Sequence, residues 1–411
     1  MWNAVKGWDR AQWLLLPALA IAAMLLAGMI LHLVTEQPGS NSYVLLADSF
    51  LHGKLDSAQC YDSDCVVYDG KNYVIFPPVP AVVAMPFVAA FGTDFSGFAA
   101  IGFVCLLAAA FLWWRIFDRL GVEKQTAVWL LLALAFGSPL FYVSIRADRV
   151  WFFAQSINFL LLSLALYEVM RGGRIIVAGA YLGLAFLSRQ MTILLAPFIY
   201  VLALRPDEKL FSLKWDNIKR GLIFGVPLIA AVAIYMAYNF ARFGAPMETG
   251  YIYIAKPALD HWSLINERLV HHGLFSKDYV LFNAFHLFIQ GFHVEWGGPA
   301  LLTPLKLDPM GTSLLAASPF VLLVLFAPLD RETVIGGLCA TLIMGITLFY
   351  HGNGFSQYNA QRFVLDWAPV LFFVLGLAVS KGVRPALAVL VIYAMGLNVV
   401  AMALLATLHQ A

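Results

Sequence analysis

Thr35 to Gly92 reads TEQPGSNSYVLLADSFLHGKLDSAQCYDSDCVVYDGKNYVIFPPVPAVVAMPFVAAFG. It is a long polar insert between two apolar runs, in a chain that is otherwise almost wholly apolar. Within it, Val44, Leu45, Ala47 and Leu51 recur at helical spacing, which predicts a helix near 42–52 lying on a membrane surface. Asp69-Gly70-Lys71-Asn72, between Val66-Val67-Tyr68 and Tyr73-Val74-Ile75, predicts a tight hairpin. Pro77-Pro78 opens a second short apolar segment, predicted as a juxtamembrane helix near 78–91. Cys60 and Cys65 frame CYDSDC, where a local disulfide forms if the loop faces an oxidising compartment. The insert is expected to roof a membrane-embedded site.

Outward from this stretch the chain reads as a polytopic membrane protein. Only 12% of its 411 residues are charged, 61% are hydrophobic, and the mean hydropathy is +0.80. A soluble domain carries about 25% charged residues, so most of this surface must face lipid. The net charge of +2 carries no message about nucleic acid. Bilayer crossing takes about 20 apolar residues as helix. Clear spans fall at 12–34, 96–117, 125–145, 150–170, 221–241, 313–329, 333–350, 363–380 and 385–407. The first is too long for a signal-peptide core and lacks a small-residue cleavage site, so it is expected to remain as a helix.

Charge placement settles the ambiguous segments. If 78–91 lies along the interface and 175–204 makes two short crossings, the basic clusters fall on one side. These are Lys6/Arg10, Arg115/Arg119/Lys124, Arg171/Arg174, Arg205 to Arg220, Arg331 and Lys381/Arg384. That is the positive-inside pattern. The expectation is one all-α transmembrane domain over 1–411 with about eleven spans and a cytoplasmic N-terminus. The large loops 35–95 and 242–312 then face the periplasm of a bacterial inner membrane.

The polar residues that stand out lie on that outer face. Glu36 follows the first helix directly and Asp48 interrupts the apolar pattern of the first loop helix; either carboxylate is a candidate base. Arg146-Ala147-Asp148-Arg149 packs three charges into a minimal loop, and arginine binds phosphate oxygens bidentately. Arg189 sits at the break in 175–204, where an ionisable residue at membrane depth is a functional candidate. Arg362 joins them as a phosphate ligand; Asp366, four residues on, would share its face of a helix and pair with it. Tyr43, Asp148, Glu248, Tyr251, His351, Tyr358 and Gln361 are candidate substrate contacts, and Trp262 and Trp296 offer faces for sugar stacking or simply interfacial anchors. The histidines lack the spacing of a structural zinc site, so no metal ligands are assigned, although a divalent ion bridging an acid and a phosphate remains open.

The order of these parts resembles the GT-C superfamily of membrane glycosyltransferases, such as the protein O-mannosyltransferases and aminoarabinose transferases. The resemblance rests on SNSYVLLADSFLHGKL, YDGKNYVIFPPVPAVVAMPFVAAFG, GAYLGLAFLSRQMTILLAPF, YNFARFGAPMETGY and GFSQYNAQRFVLDWAPVLFF, and covers nearly the whole chain. It implies a polyprenyl-phosphate sugar donor and transfer to a periplasmic acceptor, whether glycan, lipid or protein. It also implies an acid soon after the first helix. Here that place reads Gly39-Ser40-Asn41, so the role passes to Glu36 or Asp48. Two other readings stand beside it: a lipid-carrier flippase, and an assembly subunit without catalysis.

Overall fold

The structure, a computed structural model, describes residues 10–61, 65–204, 208, 214–254, 264–354, 357–380 and 384–408. Trp262 lies outside the described residues. The chain folds as α1 (Arg10–Thr35), α2 (Tyr43–Leu51), the hairpin β1 (Cys65–Tyr68) and β2 (Lys71–Val74), α3 (Val79–Phe91), α4 (Phe98–Arg119), α5 (Lys124–Phe136), α6 (Pro139–Ile145), α7 (Val150–Met170), α8 (Ile175–Phe186), α9 (Ala196–Leu202) and α10 (Trp215–Phe243). There follow α11 (Leu264–His272), α12 (Val280–Phe288), the hairpin β3 (Val294–Gly297) and β4 (Thr303–Leu307), α13 (Leu314–Ala317), α14 (Arg331–Phe349), α15 (Ala368–Val379) and α16 (Arg384–Leu408). Tight 3-10 segments at Gln190–Leu195, Pro319–Phe326 and Arg362–Asp366 lead into or replace helix at three of the expected spans.

It is an all-α polytopic membrane architecture with two small hairpins. Among the described residues, six helices are long and apolar enough to cross a bilayer, and α5 with α6 makes a seventh if a 47° bend is allowed. The other expected crossings are short or broken: 175–186 and 190–202 are separate helical pieces, 313–329 is a short α-turn followed by eight residues of 3-10 helix, and α15 has 12 residues. Their causes are local. Pro139, Pro319 and Pro369 each stand in the first turn of their segment, where a missing N–H costs nothing but the preceding ladder stops.

Backbone freed by such breaks needs partners inside the protein, because lipid offers none. At the α5–α6 bend, the Phe136 carbonyl accepts from Asn398 Nδ2 and the Gly137 carbonyl from Ser318 Oγ, both at 2.6–2.7 Å. Close helix approach supplies the rest. Gly179 and Gly183 of α8 face α10, and a Cβ on Gly179 would stand 2.3 Å from the Phe224 carbonyl oxygen. This is the small-xxx-small arrangement that lets membrane helices touch backbone to backbone.

Cross-contacts sort the loop ends onto two faces. On one, Arg119 donates to the Met170 carbonyl, Arg220 pairs with Glu208, and Arg331 donates to the Glu208 carbonyl. On the other, Asn41 meets Ala147, Val79 meets Leu187, and Arg242 meets Val74. The first set holds Arg119, Arg220 and Arg331 and the second the first loop. This alternation requires 175–204 to go out and return, as the charge pattern implies.

The first loop is built nearly as expected, with one correction. The Asp69-Gly70 turn takes positive φ at both residues (48° and 72°), and Cys60 and Cys65 form a disulfide. But α2 does not lie on a surface: Tyr43 to Ala47 and Ser49 are buried against Phe76, Val79, Ala84, Phe98 and Phe153. Most of its positions are apolar or small, so all but a narrow edge at Asp48 and Leu51 is covered, and α3 packs over it.

Candidate active site

Below the first loop, three arginines are strung along two phenylalanine rings. The Arg146 guanidinium carbon lies 5.9 Å from the Phe152 centroid and that of Arg362 lies 5.1 Å from the same ring. Arg362 and Arg189 in turn share Phe363, at 5.0 and 5.5 Å. Each contact is within cation–π range. The arginines come from three places in the chain: the α6–α7 loop, the break after α8, and the 3-10 turn before α15. The spacing of the rings holds the charges in a row.

Each arginine is oriented differently. Arg189 makes a two-pronged pair with Asp366, Nε to Oδ1 at 2.5 Å and Nη2 to Oδ2 at 2.7 Å. The expected Arg362–Asp366 pair is therefore replaced. Residues 362–366 form a 3-10 turn rather than an α-helix, and with three residues per turn positions four apart point in different directions. Arg362 instead donates to the Gly354 carbonyl and meets Gln155 Oε1 at 3.4 Å, while Gln155 Nε2 donates to the Arg362 carbonyl. Arg149 is half exposed and reaches back only to Asp148.

Asp148 closes one end of the row. Its carboxylate is buried, with Arg146 Nε at 3.5 Å, Arg149 Nε at 3.4 Å and His32 Nε2 at 3.2 Å. Burial alone raises such a carboxyl. The His32 hydrogen bond and the two guanidinium groups outweigh it and hold Asp148 below the usual carboxylate range. The loop that carries it is seated by Asn41, whose Nδ2 donates to the Ala147 carbonyl at 3.1 Å, and by Gly102 of α4, where a Cβ would strike Ala147. Asp148 thus follows directly on the residue whose carbonyl Asn41 holds.

Of the other two acids, Glu36 lies within electrostatic reach of Asp148 and His32, and Asp48 does not join them. Glu36 Oε1 accepts from the Phe98 amide and Oε2 from the Ala99 amide, at 3.0 and 2.9 Å, so both oxygens cap the start of α4. Burial raises its pKa to about 7 in spite of these bonds. Asp48 stands half exposed on α2, its Oδ1 3.5 Å from His52 Nδ1 one turn on.

The remaining candidates divide into two groups. Tyr251 and His351 gather near Arg189: the Tyr251 ring lies 6.3 Å from His351, which stacks 4.2 Å from Tyr350, and both tyrosines act electrostatically on Arg189. Burial pushes the His351 imidazole down to about 4, so it is neutral at pH 7, and its Nδ1 has no hydrogen-bond partner among the described residues. Tyr358 places its ring 6.4 Å from Tyr142, beside Arg146 and Arg362. Gln361 is buried with Oε1 unpartnered among the described residues. Away from this centre, Tyr43 is packed between Phe76 and Phe153, Glu248 closes a local turn by accepting from the Gly250 amide, and Trp296 is exposed on β3. Among the described residues no three His, Cys, Asp or Glu side chains converge, and Asp148 and Asp366 are turned onto guanidinium groups.

The site lies deep. Asn359, three residues before Arg362, bonds to Asn398 of α16. Asn398 is ten residues short of the helix end at Leu408, which is about 15 Å at 1.5 Å per residue.

No protein-family model and no curated protein matches the sequence. Among solved structures, the crystal structure of ArnT from Cupriavidus metallidurans bound to undecaprenyl phosphate is similar at a TM-score of 0.48 and 14% identity. The match covers 91% of this chain and 61% of that one. The chain thus spans less than two thirds of that protein's length, and a likeness of this degree assigns it neither family nor activity.

Proposed function

We propose that the chain is a membrane glycosyltransferase that takes a sugar from a polyprenyl-phosphate carrier and passes it to an acceptor on the first-loop face, read from the charge pattern as periplasmic. The observation that carries this is the row Arg146–Arg362–Arg189, ending on a buried carboxylate. A phosphodiester headgroup on an apolar tail matches such a row: guanidinium forks take the phosphate oxygens while the tail stays in lipid. Arg146 and Arg362 are the headgroup ligands, with Arg149 at the mouth. Arg189 is fixed by Asp366 and supports the row from behind.

The acceptor hydroxyl oxygen attacks the anomeric carbon, and the bond from that carbon to the phosphate oxygen breaks. The electron pair leaves on the carrier phosphate, where the arginines offset the developing charge. The hydroxyl proton goes to Asp148, with His32 next in line at 3.2 Å. Glu36, with both oxygens on α4 amides, acts through Asp148 by placing α4. Tyr251, His351, Tyr358 and Gln361 line the approach and offer polar contacts to a sugar.

The test is binding and transfer in reconstituted vesicles. Arg146→Ala and Arg362→Ala each remove a charge-assisted contact of about 1.5–3 kcal/mol, so affinity for polyprenyl phosphate should fall ~10- to 100-fold. Asp148→Asn should keep that affinity and lose transfer by ~10²–10⁴. Unchanged phosphate binding in both arginine variants would sink the reading. Arginine-dependent binding with no transfer of any sugar tried would favour a carrier flippase.

A further inference from the structure

The second outer segment carries an apolar surface on the wrong side for a soluble layer. On α12 the inward positions are Asn283, His286 and Leu287, all buried. The outward stripe is Leu281, Phe285 and Ile289, spaced four apart, with Leu281 at 84% and Ile289 at 67% exposure. Downstream, the β3–β4 hairpin ends in Leu301 and Leu302, exposed at 67% and 78%. Ala300 and Leu301 both take φ of 57°, a left-handed conformation that non-glycine residues rarely adopt. That turn directs two leucines out from the tip, and strain held at an exposed apolar tip points to an interaction.

Depth is given by α14. Its 19 residues span ~28 Å, the thickness of a bilayer core. Its outer end is covered by this segment: Asn283 Nδ2 donates to the Leu348 and Tyr350 carbonyls at 3.0 and 2.8 Å, and the Ser276 amide to the Phe349 carbonyl at 2.9 Å. α12 therefore crosses the end of a span, at the level of the lipid headgroups. β4 packs against α16, another long apolar helix, so the hairpin continues a lipid-facing surface. Polarity runs along the hairpin in the matching order. Glu295 opposite Lys306 is at the root, Trp296 follows, and the leucines are at the tip. Open strand edges exclude the hydrocarbon centre, which leaves the interfacial layer.

We propose that the exposed face of α12 and the β3–β4 tip are a lipid-binding surface, seated in the interfacial layer of the leaflet on the first-loop side, with phospholipid acyl chains as the partner. This rests on the fold and not on the proposed activity. The chain's thiols make a clean test possible: Cys105 and Cys339 are buried and Cys60–Cys65 is a disulfide. The full chain with Leu281→Cys, Leu302→Cys or Lys71→Cys is labelled with an environment-sensitive fluorophore and reconstituted in phosphatidylcholine vesicles. Lys71, on the polar β1–β2 hairpin, is the aqueous reference. At 281 and 302, acyl-brominated phosphatidylcholine should quench at least half the emission and external iodide should leave it nearly unchanged, with the reverse at 71. Iodide quenching at 281 or 302 overturns the proposal. So does resistance to both quenchers at either position, which would mean that protein covers the patch.

Discussion

Asp148, Glu36 and Asp48 show how little a carboxylate's neighbourhood in sequence says about its work. Glu36 is held by two backbone amides and still has its pKa raised to about 7 by burial. Its folded pKa exceeds the ordinary 4.5, so the folded state binds more protons between pH 4.5 and about 7. Stability from this group is complete below 4.5 and is lost as pH rises through 7. Glu36→Gln should therefore flatten the melting temperature between those pH values; an unchanged slope would show that other groups cause it. The Arg189–Asp366 pair makes a second case. Asp366→Asn leaves a partly buried guanidinium without its counter-charge, at a cost below that of a fully buried pair, about 3–5 kcal/mol. Thermal unfolding should show that loss, and the double change Arg189→Met with Asp366→Leu should recover much of it. The sequence singles out Arg189 at the break and Arg146 and Arg149 in the α6–α7 loop as charges in an apolar context, and the fold pairs each of them with a carboxylate, Asp366 or Asp148. His32 was not, since it ends an unbroken apolar helix, and only the fold brings it to Asp148. Asp366 was misassigned for want of one fact, the tightness of its turn.

At the scale of elements, apolar run length and proline placement carried most of the fold. The ranges of α1, α4, α7, α14 and α16 lie within a few residues of those read from hydropathy. The 313–329 run was read as a span and is a short α-turn followed by eight residues of 3-10 helix, because composition does not distinguish a long helix from a short irregular segment. α2 was misread in the other direction: enclosure by α3 and the α6–α7 loop is a tertiary fact that periodicity does not contain. The α8–α10 contact is the element-level feature most exposed to test. Gly179→Val forces side-chain atoms into the Phe224 carbonyl, so α8 and α10 must separate. Folded yield in detergent should collapse in this variant while Gly225→Val, with open space at its Cβ, behaves as wild type; parity of the two would contradict the close approach.

For the whole molecule, sidedness is the organising fact. Among the described residues, Arg119 and Arg331 cross-link loop ends away from the first loop, while the arginine row lies under it. A membrane-impermeant thiol reagent applied to intact cells should label Lys71→Cys and leave Asp216→Cys, at the start of α10, unlabelled until the membrane is opened. Labelling of 216 from outside would invert the arrangement.

The first loop is sewn to the bundle at points far apart in sequence. Asn41 holds Ala147, Val79 holds Leu187, Arg242 holds Val74, and Tyr68 holds the Phe243 carbonyl. Such a covering is masonry, not a door. With the top fixed, the proposed carrier would reach the arginine row sideways between helices, in the plane of the lipid. What sets the encounter rate is then the fraction of the leaflet that a reactant occupies, and not its concentration in the water outside.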